Sequence, residues 1–307
     1  MNGLPLAERY FERYGGELLD GEFAAWRERI AVGLAGDGSD CLGFDDEQSR
    51  DHDWGPGFCL WLTDTDYAEI GAALQQAYER LPKSFAGFER STTEWGSGRV
   101  GALETGAWYK QYVRHPDGPQ TLFDWLRIPE KDLAACTAGR VFHDPLDDFS
   151  RRRRRLLAFY PDDVRLAKIG ARCMSIGQSG QYNFARALGR GEIFAVRYAE
   201  TKFCNDLMSL VYLLNRRYAP YYKWVHRGLL ALPRLGRTVH ARVAALVSAA
   251  DADEKRAHID ALCAAAIAEL QAEGLTSSDS RFLVDHGPLI HERIDDPALR
   301  RLSVLVG

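Results

Sequence analysis

Apolar positions recur along this chain with two different spacings, and the change between them divides it. Over residues 5–15 and 18–28 the spacing is helical, with Leu6, Tyr10 and Phe11 on one face, and Gly15-Gly16 predicts a break between two short amphipathic helices. The apolar run Ile30 to Ala35, closed by Gly36-Asp37-Gly38-Ser39, predicts a buried strand that enters a turn. Gly57 to Thr63 predicts a second strand, and Asp64 or Thr65 is positioned to cap a helix that continues to about Arg80 and stops at Pro82. Arg99 to Val113 is aromatic and apolar enough to predict one or two further strands, and Arg140 to His143 predicts a strand that ends at the turn Asp144-Pro145. Beyond Pro161 the period is 3.6 throughout, predicting long helices near 162–177, 192–216, 237–250 and 252–273.

Together these elements predict an α+β chain of two domains: a mixed sheet with helices over residues 1–150, and a helical bundle over 151–307 that closes a cleft. The length of 307 residues is consistent with this, at roughly 150 residues per domain. With 46% hydrophobic and 27% charged residues the composition is that of a globular protein. The first thirty residues contain no signal-like apolar stretch, and no run reaches the ~20 apolar residues of a membrane span, so a cytoplasmic protein without membrane contact is expected. Six scattered cysteines with no CxxC pair argue against a zinc site or a disulfide scaffold. The net charge of −4 argues against a general nucleic-acid binder. Arg151 to Arg155 is the one basic run, read as a solvated helix face or, less simply, as a polyanion contact.

Candidate chemistry concentrates between Gly38 and Pro56, in the string GSDCLGFDDEQSRDHDWGP. Six acidic residues fall between Gly38 and Asp53. If this segment is extended, Asp51 and Asp53, two apart, point to one face and can share a divalent ion or a close pair of ions. Hard carboxylate oxygens suit Mg²⁺, and two ions would hold a triphosphate while activating an attacking hydroxyl. Gly38 permits close approach of backbone N–H groups to phosphate, and Ser39 adds a hydroxyl donor. On the same alternation His52 faces away from the aspartates. Asp45 and Asp46 read as a polar turn, with Ser49 and Arg50 placed to orient the aspartates.

An apolar strand, then Gly-Ser, then a polar loop, then D-x-D twelve residues after the serine resembles the motif of the DNA polymerase beta-like nucleotidyltransferases, the superfamily of the kanamycin- and lincosamide-modifying enzymes. The full string, with GQYN at 180–183 and LNRRYAPYYKW at 214–224, resembles a little-characterised bacterial family within it. This resemblance implies a nucleotidyltransferase fold on the N-terminal side, Mg²⁺, ATP or another nucleoside triphosphate as donor, and a helical domain that closes the cleft. It assigns Gly38 and Ser39 to the phosphate loop and Asp51 and Asp53 to the metal. It also implies a third carboxylate on a neighbouring strand, for which Glu104 is the candidate. One departure stands out: superfamily strands continue with apolar residues after D-x-D, whereas Trp54-Gly55-Pro56-Gly57 intervenes here, so the strand must bulge or break. From the helical side Arg186, Lys202, Asn205 and above all Lys223, amid Tyr221, Tyr222 and Trp224, are candidates for nucleotide or acceptor contacts.

Three functions follow as expectations. The first is transfer of a nucleoside monophosphate, AMP from ATP, to a hydroxyl of an unidentified small-molecule or protein acceptor, with release of pyrophosphate, by a monomer or homodimer. The second is a nucleotide-binding regulatory or interaction module without turnover. The third is a ribonuclease formed by the helical half, on the pattern Arg234 to His240.

Overall fold

The computed structural model describes residues 1–51, 53–91 and 98–307. Its contacts divide the chain into two compact units, Met1–Gln120 with Asp132–Ala158, and Thr121–Lys131 with Phe159–Gly307. The architecture is α+β, with the mixed sheet confined to the first unit and helices making up the regular structure of the second among the described residues.

The first unit opens on α1 (Gly3–Asp20), a single helix that runs through Gly15-Gly16, followed by a 3-10 turn over Ala24–Arg29. The predicted break at the glycine pair is therefore absent. A Cβ on Gly15 would lie 2.1 Å from the Phe11 ring, so the glycine gives that ring room to fold back along the helix. β1 (Ala31–Leu34) leads into a short helical turn, α2 (Ser39–Leu42), and β2 (Cys59–Leu62) follows the acidic loop. Next comes α3 (Asp64–Glu79), whose N-cap is Thr63, one residue earlier than predicted, with its side chain accepting from the Asp66 N–H. A two-residue hairpin joins β3 (Ser84–Phe85) to β4 (Phe88–Glu89) through Ala86 and Gly87, both at positive φ as such a tight turn demands.

β5 (Gly101–Glu104) passes directly into α4 (Thr105–Val113). Residues 105–113 were expected to be extended; the Glu104 side chain instead accepts from the Ala107 N–H and starts a helix, overriding the β preference of Trp108, Tyr109 and Val113. α5 (Leu122–Arg127) and the first two residues of α6 (Glu130–Thr137) belong to the second unit, and the rest of α6, β6 (Arg140–His143) and α7 (Asp148–Leu157) complete the first.

The sheet order is β5-β2-β1-β6, with β1 antiparallel to both neighbours and β2 parallel to β5. β2 is buried along its whole length, and its alternation feeds two layers. Leu60 and Leu62 join Val32, Phe58, Leu74, Tyr78 and Ala102 in one core with Tyr10 of α1. Trp61 points the other way and stacks on Phe149 at 3.8 Å, beside Trp108. Burying these large side chains, at about 1.5–3 kcal/mol each, is what holds the loop-bearing end of the sheet in place.

In the second unit α8 (Asp162–Ile176) continues through a π-helical stretch, Gly177–Phe184, into α9 (Ala185–Gly189). α10 (Ile193–Leu214) buries Phe203, Leu207, Leu210 and Leu214, the stripe read from the sequence. α11 (Tyr222–Gly228), α12 (Gly236–Ser248), α13 (Ala252–Ala272), α14 (His286–His291) and α15 (Pro297–Arg300) complete it. No helix is long and apolar enough to cross a membrane among the described residues.

The five arginines of α7 are spent within the first unit. Arg151 pairs with Asp148, Arg152 with Asp117 and Asp148, and Arg154 with Asp147. Arg153 donates to the carbonyls of Thr137, Ala138 and Gly139, and Arg155 to those of Asp117 and Pro119. This run secures the chain around β6, with Arg151 and Arg154 remaining largely exposed.

Candidate functional site

The loop between β1 and β2 is built from glycines, one buried ion pair and one anchoring aromatic. Gly36 and Gly38 sit at φ 114° and 139°, conformations that side chains resist, and Gly43 closes α2 at φ 73°. A Cβ on Gly38 would lie 2.4 Å from both the Arg99 guanidinium and an Asp40 carboxylate oxygen. The absent side chain thus makes room for that ion pair. Beside it the half-buried Ser39 hydroxyl has no hydrogen bond to any described residue.

Arg99 was not singled out from the sequence, and it organises the loop. Its guanidinium pairs with the buried Asp40 carboxylate, donates to the Asp37 carbonyl at 3.0 Å and to the Asp53 carbonyl at 2.5 Å, and approaches Cys41 Sγ at 3.7 Å. Burial works against the charge, but the adjacent Asp40 carboxylate outweighs it and holds the guanidinium above its usual pKa. Burial also pushes the Cys41 thiol well up and the Cys59 thiol up to about 12, so both stay neutral and Asp40 answers the arginine alone. All six cysteines are free and buried.

Asp45, expected in a turn, is instead a buried anchor that accepts from the Gly3 N–H at 2.7 Å and the Trp54 Nε1–H at 3.1 Å. Asp46 does form a turn: its carboxylate accepts from the N–H groups of Gln48 and Ser49, and Ser49 bonds back to it. Ser49 is thereby engaged with Asp46, and Arg50 lies over the Trp54 and Phe88 rings at 5.3 and 5.1 Å, so neither serves to orient Asp51 or Asp53 as expected.

The D-x-D geometry departs from expectation. Asp51 is exposed at φ −69°, ψ −31°, a helical turn, and Asp53 is at φ 50°. No strand covers them, because β2 begins only at Cys59, so the same-face argument from strand alternation does not apply. The reading of His52 falls outside the described residues. The cause lies downstream. Trp54 bridges to Ser91, packs on Phe88 at 5.3 Å and bonds to Asp45, while Gly55 at φ 127° lets the Glu89 carbonyl approach to 2.4 Å of where a Cβ would sit. Arg90 then holds the Pro56 carbonyl at 2.7 Å. The Trp-Gly-Pro insertion thus docks the chain on the β3–β4 hairpin before β2 starts, and the aspartates end up in the loop itself.

Glu104 lies at the wrong end of the sheet for a third ligand. In register, Gly33 faces Cys59 and Cys59 faces Gly101, so the loop adjoins the start of β5, whereas Glu104 pairs with Leu62 about 10 Å further along. Its carboxylate caps α4. Asp144 likewise spends its carboxylate on the Ser150 N–H at 2.7 Å.

The candidates of the second unit lie among its own helices. Lys223 is exposed on α11 with its ammonium 5.3 Å over the Trp224 ring. Arg186 stacks on Tyr182 at 4.9 Å and shares a cavity of about 470 Å³ with Asn183, Tyr198 and Lys202, the last paired with Asp206 at 2.8 Å. Asn205 donates to Asp206. Arg234, expected in a ribonuclease pattern, is held by Glu269, Glu273 and the Leu214 carbonyl, and His240 stacks on His226 at 4.1 Å, which makes both parts of the helical packing.

Comparison with known proteins adds a family segment. Residues 125–225 match the model of a domain of unknown function, DUF4037, which spans parts of both units. No curated protein matches the chain. Among solved structures, it is similar to a nucleotidyltransferase-like protein from Exiguobacterium sibiricum at 14% identity, covering 87% of this chain and 76% of that one, with a TM-score of 0.36.

As to a metal, no group of three or more His, Cys, Asp or Glu side chains is gathered among the described residues. The donor chemistry of Asp51 and Asp53 nonetheless fits Mg²⁺, which is commonly bound by one or two carboxylates together with substrate phosphates and water.

Proposed function

We propose that the loop from Gly38 to Asp53 binds a nucleoside triphosphate with Mg²⁺, and that the protein transfers the nucleoside monophosphate, AMP from ATP, to a hydroxyl of a small-molecule or protein acceptor, releasing pyrophosphate. The observation that carries this reading is that Arg99 joins Asp37, Asp40 and Asp53, so the residues on either side of the Gly-Ser turn and the D-x-D segment of the nucleotidyltransferase-like motif share one bonded frame. The Ser39 hydroxyl would donate to phosphate, and the Asp51 and Asp53 carboxylates would hold the ion against it. Bound there, Mg²⁺ would supply charge neutralisation at the phosphates and acidify the attacking hydroxyl. The frame reduces the ordering cost of binding because the Arg99 bonds fix the loop beforehand.

A regulatory module without turnover uses the same triphosphate site, and it is favoured by one observation, that Glu104 spends its carboxylate on a helix cap at the far end of the sheet. Binding itself is tested by calorimetry. Mg-ATP should bind the wild-type protein at least tenfold more tightly than the Asp51→Asn, Asp53→Asn double variant, with the thermal unfolding of both proteins measured alongside. Equal affinity in the two proteins would remove the metal assignment.

A further inference from the structure

A second cluster of charge lies in the helical unit, in a cavity of about 450 Å³ bounded by α5, the start of α6, α8, α10 and the start of α11. At its wall Lys168, on α8, is 4% exposed. Among the described residues its ammonium makes one long hydrogen bond, 3.4 Å to the Leu126 carbonyl, and sits 5.1 Å over the Tyr160 ring, with no carboxylate within 4 Å. An ammonium carries three donors, and a buried charge is tolerated when it is paired. The neighbouring acid is already committed: Glu130 accepts from Arg172 at 3.0 Å and from the Ser209 hydroxyl at 3.0 Å, and Arg172 completes its bonding to Ser209 and a main-chain oxygen of Gly307. Arg172 and Glu130 therefore neutralise each other, and Lys168 is left as a buried cation facing the cavity. Arg127 and Lys131 also line the cavity. At the rim Tyr221 and Tyr222, 47% and 72% exposed with ring centroids 4.3 Å apart, offer aromatic surface to whatever enters.

We infer that this cavity is a binding site for a small phosphate-bearing ligand, with the phosphate on Lys168 and the organic part against Tyr221 and Tyr222. The volume is in the range of small-molecule sites, and a few polar groups set in a partly aromatic wall is their usual composition. A phosphate suits the compact ammonium, which acts as a point charge with rotatable donors and needs no planar partner. Anion binding would supply the partner that Lys168 lacks. The proposal does not rest on the Gly38–Asp53 loop and stands whether or not that loop turns over nucleotide.

The test uses inorganic phosphate, phenyl phosphate and benzoate as probes, with calorimetry on the full-length protein. Phenyl phosphate should bind at least tenfold more tightly than inorganic phosphate. Lys168→Met, a swap that fills the same space and keeps the fold, should abolish binding of both, and Tyr222→Ala should reduce phenyl phosphate to the level of inorganic phosphate. The Asp51→Asn, Asp53→Asn protein should bind phenyl phosphate as the wild type does. Undiminished binding in a Lys168→Met protein whose thermal unfolding matches or exceeds that of the wild type would overturn the proposal. So would preference for benzoate, loss of binding in the aspartate double variant, or no phenyl phosphate binding by the wild type at millimolar concentration.

Discussion

Replacing Arg99 by methionine should lower the unfolding free energy by about 3–5 kcal/mol, because it leaves Asp40 charged, 3% exposed and without its counter-ion. The loss has a second component: the hydrogen bonds to the Asp37 and Asp53 carbonyls go with it, and these fasten the loop at both ends. Chemical denaturation at neutral pH measures the first component. Hydrogen exchange over residues 37–53 measures the second, which should appear as lost protection beyond what global destabilisation explains. Adding Asp40→Asn to Arg99→Met should recover part of the stability, since the stranded charge is then gone, but the exchange protection should not return. A stability change below about 0.5 kcal/mol would show that the pair is an ordinary surface contact and would withdraw Arg99 as the organiser of the site.

The second large effect concerns Lys168 and pH. Burial lowers its pKa to about 8 from an ordinary value of 10.5, with Glu130 opposing the shift and Arg172 adding to it. Arg127 and Lys131 line the same cavity. Between about pH 8 and 10.5 the unfolded chain holds a proton on this lysine that the folded chain has released. Stability therefore rises with pH across that window, and below it the folded state bears the full cost of the charge. The difference of pKa corresponds to about 3 kcal/mol. Lys168→Met should accordingly be more stable than wild type at pH 7, by up to that order, and the gap should narrow steadily toward pH 10. Comparing the two proteins cancels the titration of every other group. A gap that is constant with pH would mean that the lysine ionises normally in the folded protein.

Much of the fold could be read from periodicity, and the exceptions have physical causes. β1, β2 and β6, and the helices α3, α8, α10, α12 and α13, lie where apolar spacing put them, since each buries one continuous stripe or run. α1 and α4 were misjudged because a local signal outweighed a tertiary one. Gly15-Gly16 looks like a breaker until Phe11 is seen to need the space, and Trp108, Tyr109 and Val113 look like a strand until Glu104 is seen to cap a helix.

The candidate site was legible as a motif and illegible as geometry. Alternation of side chains holds for extended backbone only, and nothing in the spacing of Asp51 and Asp53 announces that Trp54 will dock on a hairpin some thirty-five residues later in the chain, at Phe88 and Ser91. Arg99 escaped notice for the same reason: its partner Asp40 is 59 positions away, and a lone arginine before a strand carries no pattern. Lys168 sits at an apolar position of an amphipathic helix, and its interest lies in the partners it lacks.

The central claim concerns which phosphorus is attacked, and product analysis decides it. The full-length protein would be incubated with Mg²⁺ and nucleoside triphosphates labelled at the alpha phosphorus, together with a cell lysate and panels of aminoglycosides and lincosamides. Transfer of a nucleoside monophosphate predicts label on an acceptor and pyrophosphate in equal amount, both lost in the Asp51→Asn, Asp53→Asn protein. Tight Mg-ATP binding with the nucleotide recovered intact from every mixture would replace the enzyme with the regulatory module. Release of ADP and orthophosphate that depends on Asp53 would contradict the account, because it would put the attack at the gamma phosphorus.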